Sequence, residues 1–426
     1  MKKVALTLAG VLAAAAFAPE ASAIPSFARQ TGMACSACHF MKYPVLNGFG
    51  RAFKAAGYTM MGAQEKVEGE HLSIPAVLNA SLLLKYRYDK TNGVATPGAG
   101  VTAPTAPADG QWQMGDEFSL FFGGRIAETE HFTIGFLNEN NAAVGGVAGL
   151  RIPVTVDLGA VKAQIVPFTT DALGVAYSFE LSSGGVMRAN RWAENRRNIS
   201  AIQYNADRGS DGGTASGTAF VIQNDMGFIN FTKWSSSFAP GANGQAVPST
   251  NYGQTYIRVA ATPTIGDIAI VAGFGKESGS SYGNLSAAQV ESNQTFVDFQ
   301  AQGEVAGMEG GLYAQYAKAP ACTTAAAANC AHNAGSLDRT ALTVGGEVAV
   351  IPHALSVGAA LRNAKNGTPD AVGSTTSKTD NALTFVAVYD LTQNVALHLN
   401  YSKYSGTANT GTARTSEILG MLEAAF

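Results

Sequence analysis

Beyond about residue 73, apolar and polar residues alternate along the chain with a period of two. In the stretch 82–89, for example, Leu82, Leu84 and Tyr86 are separated by Leu83 and Lys85. Successive side chains of a β-strand point to opposite faces of the sheet, so this period indicates strands with one apolar and one polar face. The same alternation occurs in the segments 117–126, 175–182, 294–300, 342–350 and 417–426. The sequence therefore predicts an all-β fold for most of the chain.

The lengths of the connections decide what kind of all-β fold this is. Long polar connections alternate with short turns in the C-terminal half. The long connections are 235–251, 277–293, 319–339, 363–380 and 405–413, and the short ones are 263–266, 306–309, 352–354 and 390–394. A soluble sandwich also alternates apolar and polar residues, but it has no reason to place long loops at one end and tight turns at the other. This asymmetry is typical of a transmembrane outer-membrane β-barrel.

The number of strands is counted from the alternating segments. The alternating region holds about 16 to 18 candidate strands, and 16 is preferred because bacterial outer-membrane barrels have even numbers. The uncertainty lies in 184–198, where Arg188, Arg191, Arg196 and Arg197 cluster without alternation. Short turns of these barrels face the periplasm, so we expect both ends of the barrel on that side of a bacterial outer membrane.

Composition argues against a helical membrane protein and against a nucleic-acid-binding protein. Charged residues make up only 14% of the chain, glycine is abundant at 48 residues, and no apolar run beyond the N-terminal region approaches the length of a membrane helix. The net charge of -3 gives no basic surface for nucleic acid.

The N-terminus carries the features of an export signal. Lys2 and Lys3 precede an apolar run, and Ala21 and Ala23 form a small-residue cleavage site. We therefore expect residues 1–23 to be a signal peptide, followed by a short helical segment over 24–72 and the barrel over 73–426.

The segment 24–72 contains a C-x-x-C-H motif, formed by Cys35, Cys38 and His39, which predicts a cytochrome c segment. Two thiols one helical turn apart can each form a thioether to a haem vinyl group, and the following histidine can bind the iron as the proximal ligand. A zinc half-site, a disulfide or a thioredoxin-like pair are the alternatives. Zinc would need a second ligand pair nearby, and a thioredoxin-like pair would need a strand–helix–strand pattern. The motif therefore predicts one covalently attached haem c.

Residues near the motif are candidates for the remaining contacts with haem. Met60 is the preferred distal ligand, since a methionine ligand raises the reduction potential, and His71 is the runner-up. Arg51 and Lys54 lie three residues apart, on one face of a predicted helix, where they could pair with the haem propionates.

The remaining cysteines, Cys322 and Cys330, lie in the long connection 319–339. In an exported protein they are expected to form a disulfide that links two points of one surface loop. Metal binding by these residues together with His332 lacks a fourth ligand.

The polar face of the strands supplies groups for the lumen. The expected role of these groups is to solvate and brace the barrel interior by ion pairs, and the alternative is transient contact of the carboxylates with Fe(II). The groups are Lys85, Arg87, Glu117, Arg125, Asp157, Glu180, Asp298, Glu347, His398, Glu417 and Glu423.

The haem segment resembles that of a known family, the outer-membrane monohaem cytochrome–porin fusions of iron-oxidising bacteria. The resemblance covers the haem segment closely and the barrel by its length and architecture. It is carried by Phe27 to Met33 (FARQTGM), Cys35 to His39, Pro44, Leu46, Asn47, Phe49 to Arg51, Phe53, Lys54, Gly57 and Tyr58.

This resemblance implies a ferrous iron oxidase. Electrons from extracellular Fe(II) would reach the single haem held by the barrel and leave to a periplasmic carrier such as a soluble cytochrome, with outer-membrane lipid around the barrel. Two alternatives stay open: an electron conduit for a different extracellular donor, and a porin channel with a haem-bearing plug.

Overall fold

A computed structural model describes most of the chain and forms a closed barrel. The described residues are 25–43, 45–62, 64–70, 72–92, 110–141, 146–170, 196–205, 215–236, 252–282, 289–322, 330–410 and 415–426. The barrel has 16 antiparallel strands, as the sequence predicted. Four of these are each interrupted into two shorter segments, which carry separate labels below.

The strands run in sequence order around the barrel, and a two-stranded hairpin of β1 (Lys66–Gly69) and β2 (Leu72–Pro75) precedes them. The barrel segments are β3 (Ala80–Thr91), β4 (Gln111–Glu128), β5 (Phe132–Asn141), β6 (Gly146–Arg151), β7 (Val154–Asp157), β8 (Lys162–Thr170), β9 (Ala215–Asn224), β10 (Gly227–Ser235), β11 (Gln254–Ala261), β12 (Thr264–Ile265), β13 (Ile268–Tyr282), β14 (Gln289–Glu291), β15 (Gln294–Val305), β16 (Met308–Ala319), β17 (Arg339–Ile351), β18 (Leu355–Pro369), β19 (Ser377–Thr379), β20 (Asn381–Thr392), β21 (Val395–Ser405) and β22 (Ser416–Ala425).

The last strand pairs with the first and closes the barrel. β22 is antiparallel to β3, and Phe426 and Leu82 exchange both backbone hydrogen bonds, with N···O distances of 2.9 and 2.6 Å. Closure leaves no unpaired edge, which a sheet needs when lipid surrounds it. Both ends of the barrel lie at the rim that carries the short turns, which we call the tight-turn end.

The alternation places the two residue classes on opposite faces. Val344, Phe385 and Leu399 are exposed on the outside, whereas Thr343 and Arg258 are fully buried inside. The outer face is therefore apolar and the lumen polar, as expected for a barrel in a membrane. The predicted strand at 175–182 lies outside the described residues.

Two predicted long connections are shorter than expected. β13 continues to Tyr282 and β18 to Pro369, so both strands enter the segments predicted as loops. These extensions carry glycine, serine, asparagine and lysine without an apolar face. We attribute this to their position beyond the lipid, where both faces of a hairpin meet water and no alternation is needed.

Helices occupy the lumen. Three lie in the N-terminal segment: α1 (Pro25–Thr31), α2 (Cys35–Cys38) and α3 (Gly48–Ala55). Two more, α4 (Arg196–Ile199) and α5 (Ala201–Asn205), belong to the connection between β8 and β9, and a 3₁₀ turn spans Thr407–Asn409. The region 184–198, where the strand count was uncertain, is thus helical in the part that is described. We call residues 25–62 the plug and residues 196–205 the inward segment.

Among the described residues, no helix is both long enough and apolar enough to span a membrane.

Two valines on the outward face of β17 provide a test of whether this face contacts lipid. Val344 lies near the middle of the strand and Val350 near its tight-turn end, on the same face and almost equally exposed, at 49% and 47%. Arginine at a lipid-facing midplane site costs about 2–4 kcal/mol and near the interface about 0–1 kcal/mol. Val344→Arg should therefore destabilise the barrel far more than its matched control Val350→Arg in denaturant titrations from lipid bilayers. Equal losses for the two variants would show that β17 does not cross lipid in this way.

Candidate functional site

The C-x-x-C-H motif forms one short helix packed against the next. α2 comprises Cys35–Cys38, and the His39 N–H donates to the Cys35 carbonyl at 2.9 Å. The Asn47 side chain caps α3 by accepting from the Gly50 N–H at 2.9 Å and donates to the carbonyl of Ala37 at 3.0 Å. Asn47 thus joins the two helices, in the role that N-cap residues usually play.

Gly50 permits the close approach of these helices. A Cβ at this position would lie 2.1 Å from the Cys38 carbonyl oxygen. No side chain fits there, so α3 could not pack this closely against the motif with any other residue.

The barrel wall has a matching close approach beside the end of α3. A Cβ at Gly135 on β5 would lie 1.7 Å from the carbonyl oxygen of Gly57. The Ala55 carbonyl, at the end of α3, accepts from Gln164 at 2.9 Å and Gln223 at 2.6 Å, both inward-facing side chains. These bonds satisfy a carbonyl that a helix end leaves unpaired, and they fix the plug to the wall.

A buried ion pair holds the other side of the plug. Lys42 pairs with Glu347 of β17, and both side chains are almost fully buried. The Lys42 ammonium also donates to Ser356 Oγ at 3.2 Å, and the Tyr313 hydroxyl donates to Glu347 at 2.6 Å. Every group of this network lies near the tight-turn end, so the plug enters the lumen from that end.

The motif opens onto a cleft at the tight-turn end. The cleft is small, with a volume of about 60 Å³. Gln393, in the turn between β20 and β21, accepts from the Cys35 N–H at 3.3 Å. We call this space the motif cleft. It is lined by residues that include Cys35, His39, Met41, His353, Asp390 and Glu423.

The donor set in this cleft fits a covalent haem. Cys35 and Cys38 both carry thiols, whereas Cys322 and Cys330 are bridged. Burial raises the pKa of the Cys38 thiol, which is the opposite of what a catalytic redox pair requires. No group of three or more histidine, cysteine or acidic residues is placed to hold a metal ion within the described ranges. The thiols of Cys35 and Cys38 and the imidazole of His39, with Cys35 and His39 on the cleft, agree with the C-x-x-C-H chemistry.

The other described residues that were predicted to contact haem do not line the motif cleft. Met60 is 38% exposed, and its carbonyl accepts from the Gln30 side chain at 2.7 Å. Arg51 is buried, donates to Gln302 at 3.0 Å and lines a second cavity with residues of α3 and the β7–β8 turn. Burial lowers the pKa of Arg51 to about 10. Lys54 is buried, and His71 lies outside the described residues. The propionate and Met60 roles stay predictions.

Most predicted lumen groups are buried and paired. Lys85 pairs with Glu117 at 2.6 Å and with Glu423 at 3.7 Å, and His398 lies 3.8 Å from Glu423. These contacts agree with the interpretation that the groups brace the interior. Further pairs are Arg125 with Glu128, Arg258 with Asp298, Arg87 with Gln113, and Glu417 with Tyr404.

Two members of the predicted lumen set differ. Asp157 was expected on the lumen face, but it is exposed at the end of β7, and its carboxylate accepts the Gly159 N–H at 2.8 Å. The alternation misleads here because the strand ends at this residue and the side chain caps the turn. Glu180 lies outside the described residues.

The inward segment is a lumen element that the sequence reading missed. Ser200 donates to Gln315 at 2.8 Å, and the Tyr204 hydroxyl donates to Asp380 at 2.9 Å. The Arg362 guanidinium lies 4.0 Å from the centre of the Tyr204 ring. The apolar residues Ile199 and Ile202 within a polar connection were the available signal.

The plug and the inward segment share an apolar core. Ile199 belongs to the same buried cluster as Phe40 and Val45 of the plug, with Tyr313 on the wall. Water is excluded where these side chains pack, so protein occupies this part of the lumen.

The predicted disulfide is confirmed. Cys322 and Cys330 are bridged, with their Cα atoms 5.9 Å apart. His332 is buried in an ion pair with Glu277.

Comparison with known proteins shows the fold. Neither a protein-family model nor a curated protein matches the sequence. Among solved structures, Salmonella typhi OmpF in complex with daunomycin matches with a TM-score of 0.51 at 9% identity, over 85% of this chain and 100% of that one. OmpT of Vibrio cholerae matches with a TM-score of 0.49 at 10% identity, over 85% of this chain and 100% of that one. The chain has the closed β-barrel fold of outer-membrane porins.

The Lys42–Glu347 pair generates a test of how the plug is held. Lys42→Ala leaves a buried carboxylate without its cation, a change that typically costs about 3–5 kcal/mol. We expect faster proteolysis of the plug and a lower melting temperature. The exposed pair of Lys66 with Glu68 offers a control, since Lys66→Ala should change little. The double replacement Lys42→Met with Glu347→Leu should recover much of the loss. A Lys42→Ala plug as resistant as the wild type would contradict the anchoring role.

Proposed function

We propose that this protein is an outer-membrane monohaem cytochrome c that oxidises extracellular Fe(II) and passes the electron to a periplasmic carrier. The observation that carries the proposal is the motif cleft: Cys35 and His39 open at one mouth of a barrel whose lumen the chain itself fills. The resemblance of the N-terminal segment to cytochrome–porin fusions of iron-oxidising bacteria supports the choice of donor.

Each residue of the motif has a defined role in this proposal. Cys35 and Cys38 would hold haem c through thioethers, and His39 would bind its iron as the proximal ligand. When bound, haem c supplies a one-electron redox couple. Covalent attachment suits an exported protein, because a released cofactor would be lost from the cell surface.

The filled lumen favours electron transfer over solute transport. Lys42 and Arg51 of the plug are buried against the wall, and the inward segment packs against the plug. In this barrel an apolar cluster formed by the plug, the inward segment and the wall occupies part of the lumen. Electrons can cross packed protein, and ions and nutrients cannot.

On this proposal, the two partners meet the protein at opposite ends of the barrel. Short turns of outer-membrane barrels face the periplasm, so on this proposal the motif cleft opens toward the soluble carrier. Fe(II) then donates from the opposite, long-loop side, and ferric products stay outside the cell. The barrel wall spans about 25 Å of membrane, so the inward segment lies on the route between the two sides.

Removal of both thiols of the motif tests haem attachment. The double variant Cys35→Ala with Cys38→Ala should retain a folded, heat-modifiable barrel and lose the haem stain that survives denaturation and acid extraction, because no thioether can form. The double variant Cys322→Ser with Cys330→Ser removes the disulfide far from the motif and should keep the full stain. A full stain in the Cys35→Ala, Cys38→Ala variant would reject the assignment of the motif.

Whole cells test the donor. Chelated Fe(II) that cannot cross the membrane should reduce the haem of cells that display the protein, and His39→Ala should abolish this response because the iron loses its proximal ligand. The Cys322→Ser, Cys330→Ser variant should respond like the wild type. An oxidised haem at a pH where the Fe(II) complex is the stronger reductant would reject the iron-oxidase assignment. A large steady conductance in planar bilayers would favour the porin alternative.

A further inference from the structure

A histidine of the barrel wall faces the same cleft as the haem motif. His353 lies in the short turn between β17 and β18, far from Cys35, Cys38 and His39 in sequence, yet it lines the motif cleft together with Cys35 and His39. The structure therefore brings two histidines from different parts of the chain to one cleft.

The plug and the turn of His353 are fixed to each other by several contacts. Ser356 follows the turn and accepts from Lys42, three residues beyond His39, at 3.2 Å. On the other side, the Ala354 carbonyl accepts from the Asp390 N–H at 2.8 Å. β20, which carries Asp390, leads directly into the turn of Gln393, which binds Cys35. His353 therefore has a defined position relative to the motif.

The backbone of His353 adopts a conformation that few side chains prefer. Its φ angle is 58°, in the left-handed region, within a turn that the Ala354 N–H closes onto the Ile351 carbonyl at 3.1 Å. Glycine or asparagine would fit this turn at lower cost. A histidine held in this region is the kind of local strain that often accompanies a functional role.

We propose that His353 is the second axial ligand of the haem iron, supplied by the barrel and not by the cytochrome segment. This inference rests on the proposed function, since it needs haem c on Cys35, Cys38 and His39. A second ligand to the iron would come from a wall of the cleft other than the one that carries His39, and His353 meets this condition because it belongs to the turn between β17 and β18.

The other groups of the cleft are weaker candidates. Met41 also lines the cleft but follows His39 by two residues on the same wall. Asp390 and Glu423 offer hard oxygen donors, which suit haem iron less well than imidazole does. Met60 is not among the residues that line the motif cleft, and its backbone is held by Gln30.

The spin state of the oxidised haem tests this ligand directly. Two imidazole ligands should give a low-spin spectrum without the near-infrared sulfur-to-iron band. His353→Asn and His353→Gly, both compatible with the left-handed turn, should lose the low-spin spectrum, and added imidazole should restore it in His353→Gly. Met41→Leu and Met60→Leu are the matched controls and should keep the wild-type spectrum. Heat-modifiable migration checks that each barrel has folded.

The outcomes separate this inference from the proposed function. A low-spin spectrum retained in both His353 variants, with full haem stain, would overturn the ligand assignment alone. Loss of the low-spin spectrum in Met60→Leu or Met41→Leu would do the same and would assign a sulfur ligand. A wild-type protein without haem stain after denaturation would overturn the proposed function and this inference with it. Low-spin haem that Fe(II) fails to reduce would leave the His353 ligand intact and reject only the donor.

Discussion

The structure depends on the requirement that every backbone polar group of a membrane wall be satisfied within the protein. Lipid offers no hydrogen bonds, so a sheet in the membrane must close on itself, and the pairing of β22 with β3 meets this requirement. A wall built in this way presents mainly apolar side chains outward. Any chemistry must therefore lie in the lumen or at its two mouths, and the plug lies in the lumen at one of them.

Closure of the barrel creates a second constraint. Polar side chains that point into the lumen lose water where the plug packs against them, so they need hydrogen-bond or ion-pair partners within the protein. Gln164 and Gln223 would lose hydrogen bonds to water beside α3, and they donate instead to the Ala55 carbonyl. Glu347 is buried by the same packing and takes the Lys42 ammonium. The plug thus gives polar partners to the wall as the wall fixes the plug, and loss of either side would leave buried polar groups unpaired.

The fold could be predicted from the sequence because its signal is repeated in every strand. The alternation around Leu342 and Val344, and the length of each connection, indicate a β-barrel wall with an apolar outer face and a polar lumen face. The thiols and imidazole of the motif were equally readable, since their spacing is local. The inward segment and the surroundings of Arg51 were not, because they depend on contacts between distant parts of the chain. Nothing in the local sequence at Gln302 indicates that Arg51 binds it.

The lining of the motif cleft could not be predicted from the sequence for the same reason. Cys35 and His39 reach it from the plug, whereas His353 and Asp390 reach it from turns and strands of the wall. A cleft with two walls of such different origin is complete only once the barrel has closed and the plug has entered it. On the proposed function, haem attached to the exported segment would therefore meet its final surroundings only on assembly, so the Lys42–Glu347 pair would govern the haem environment as well as the stability of the plug.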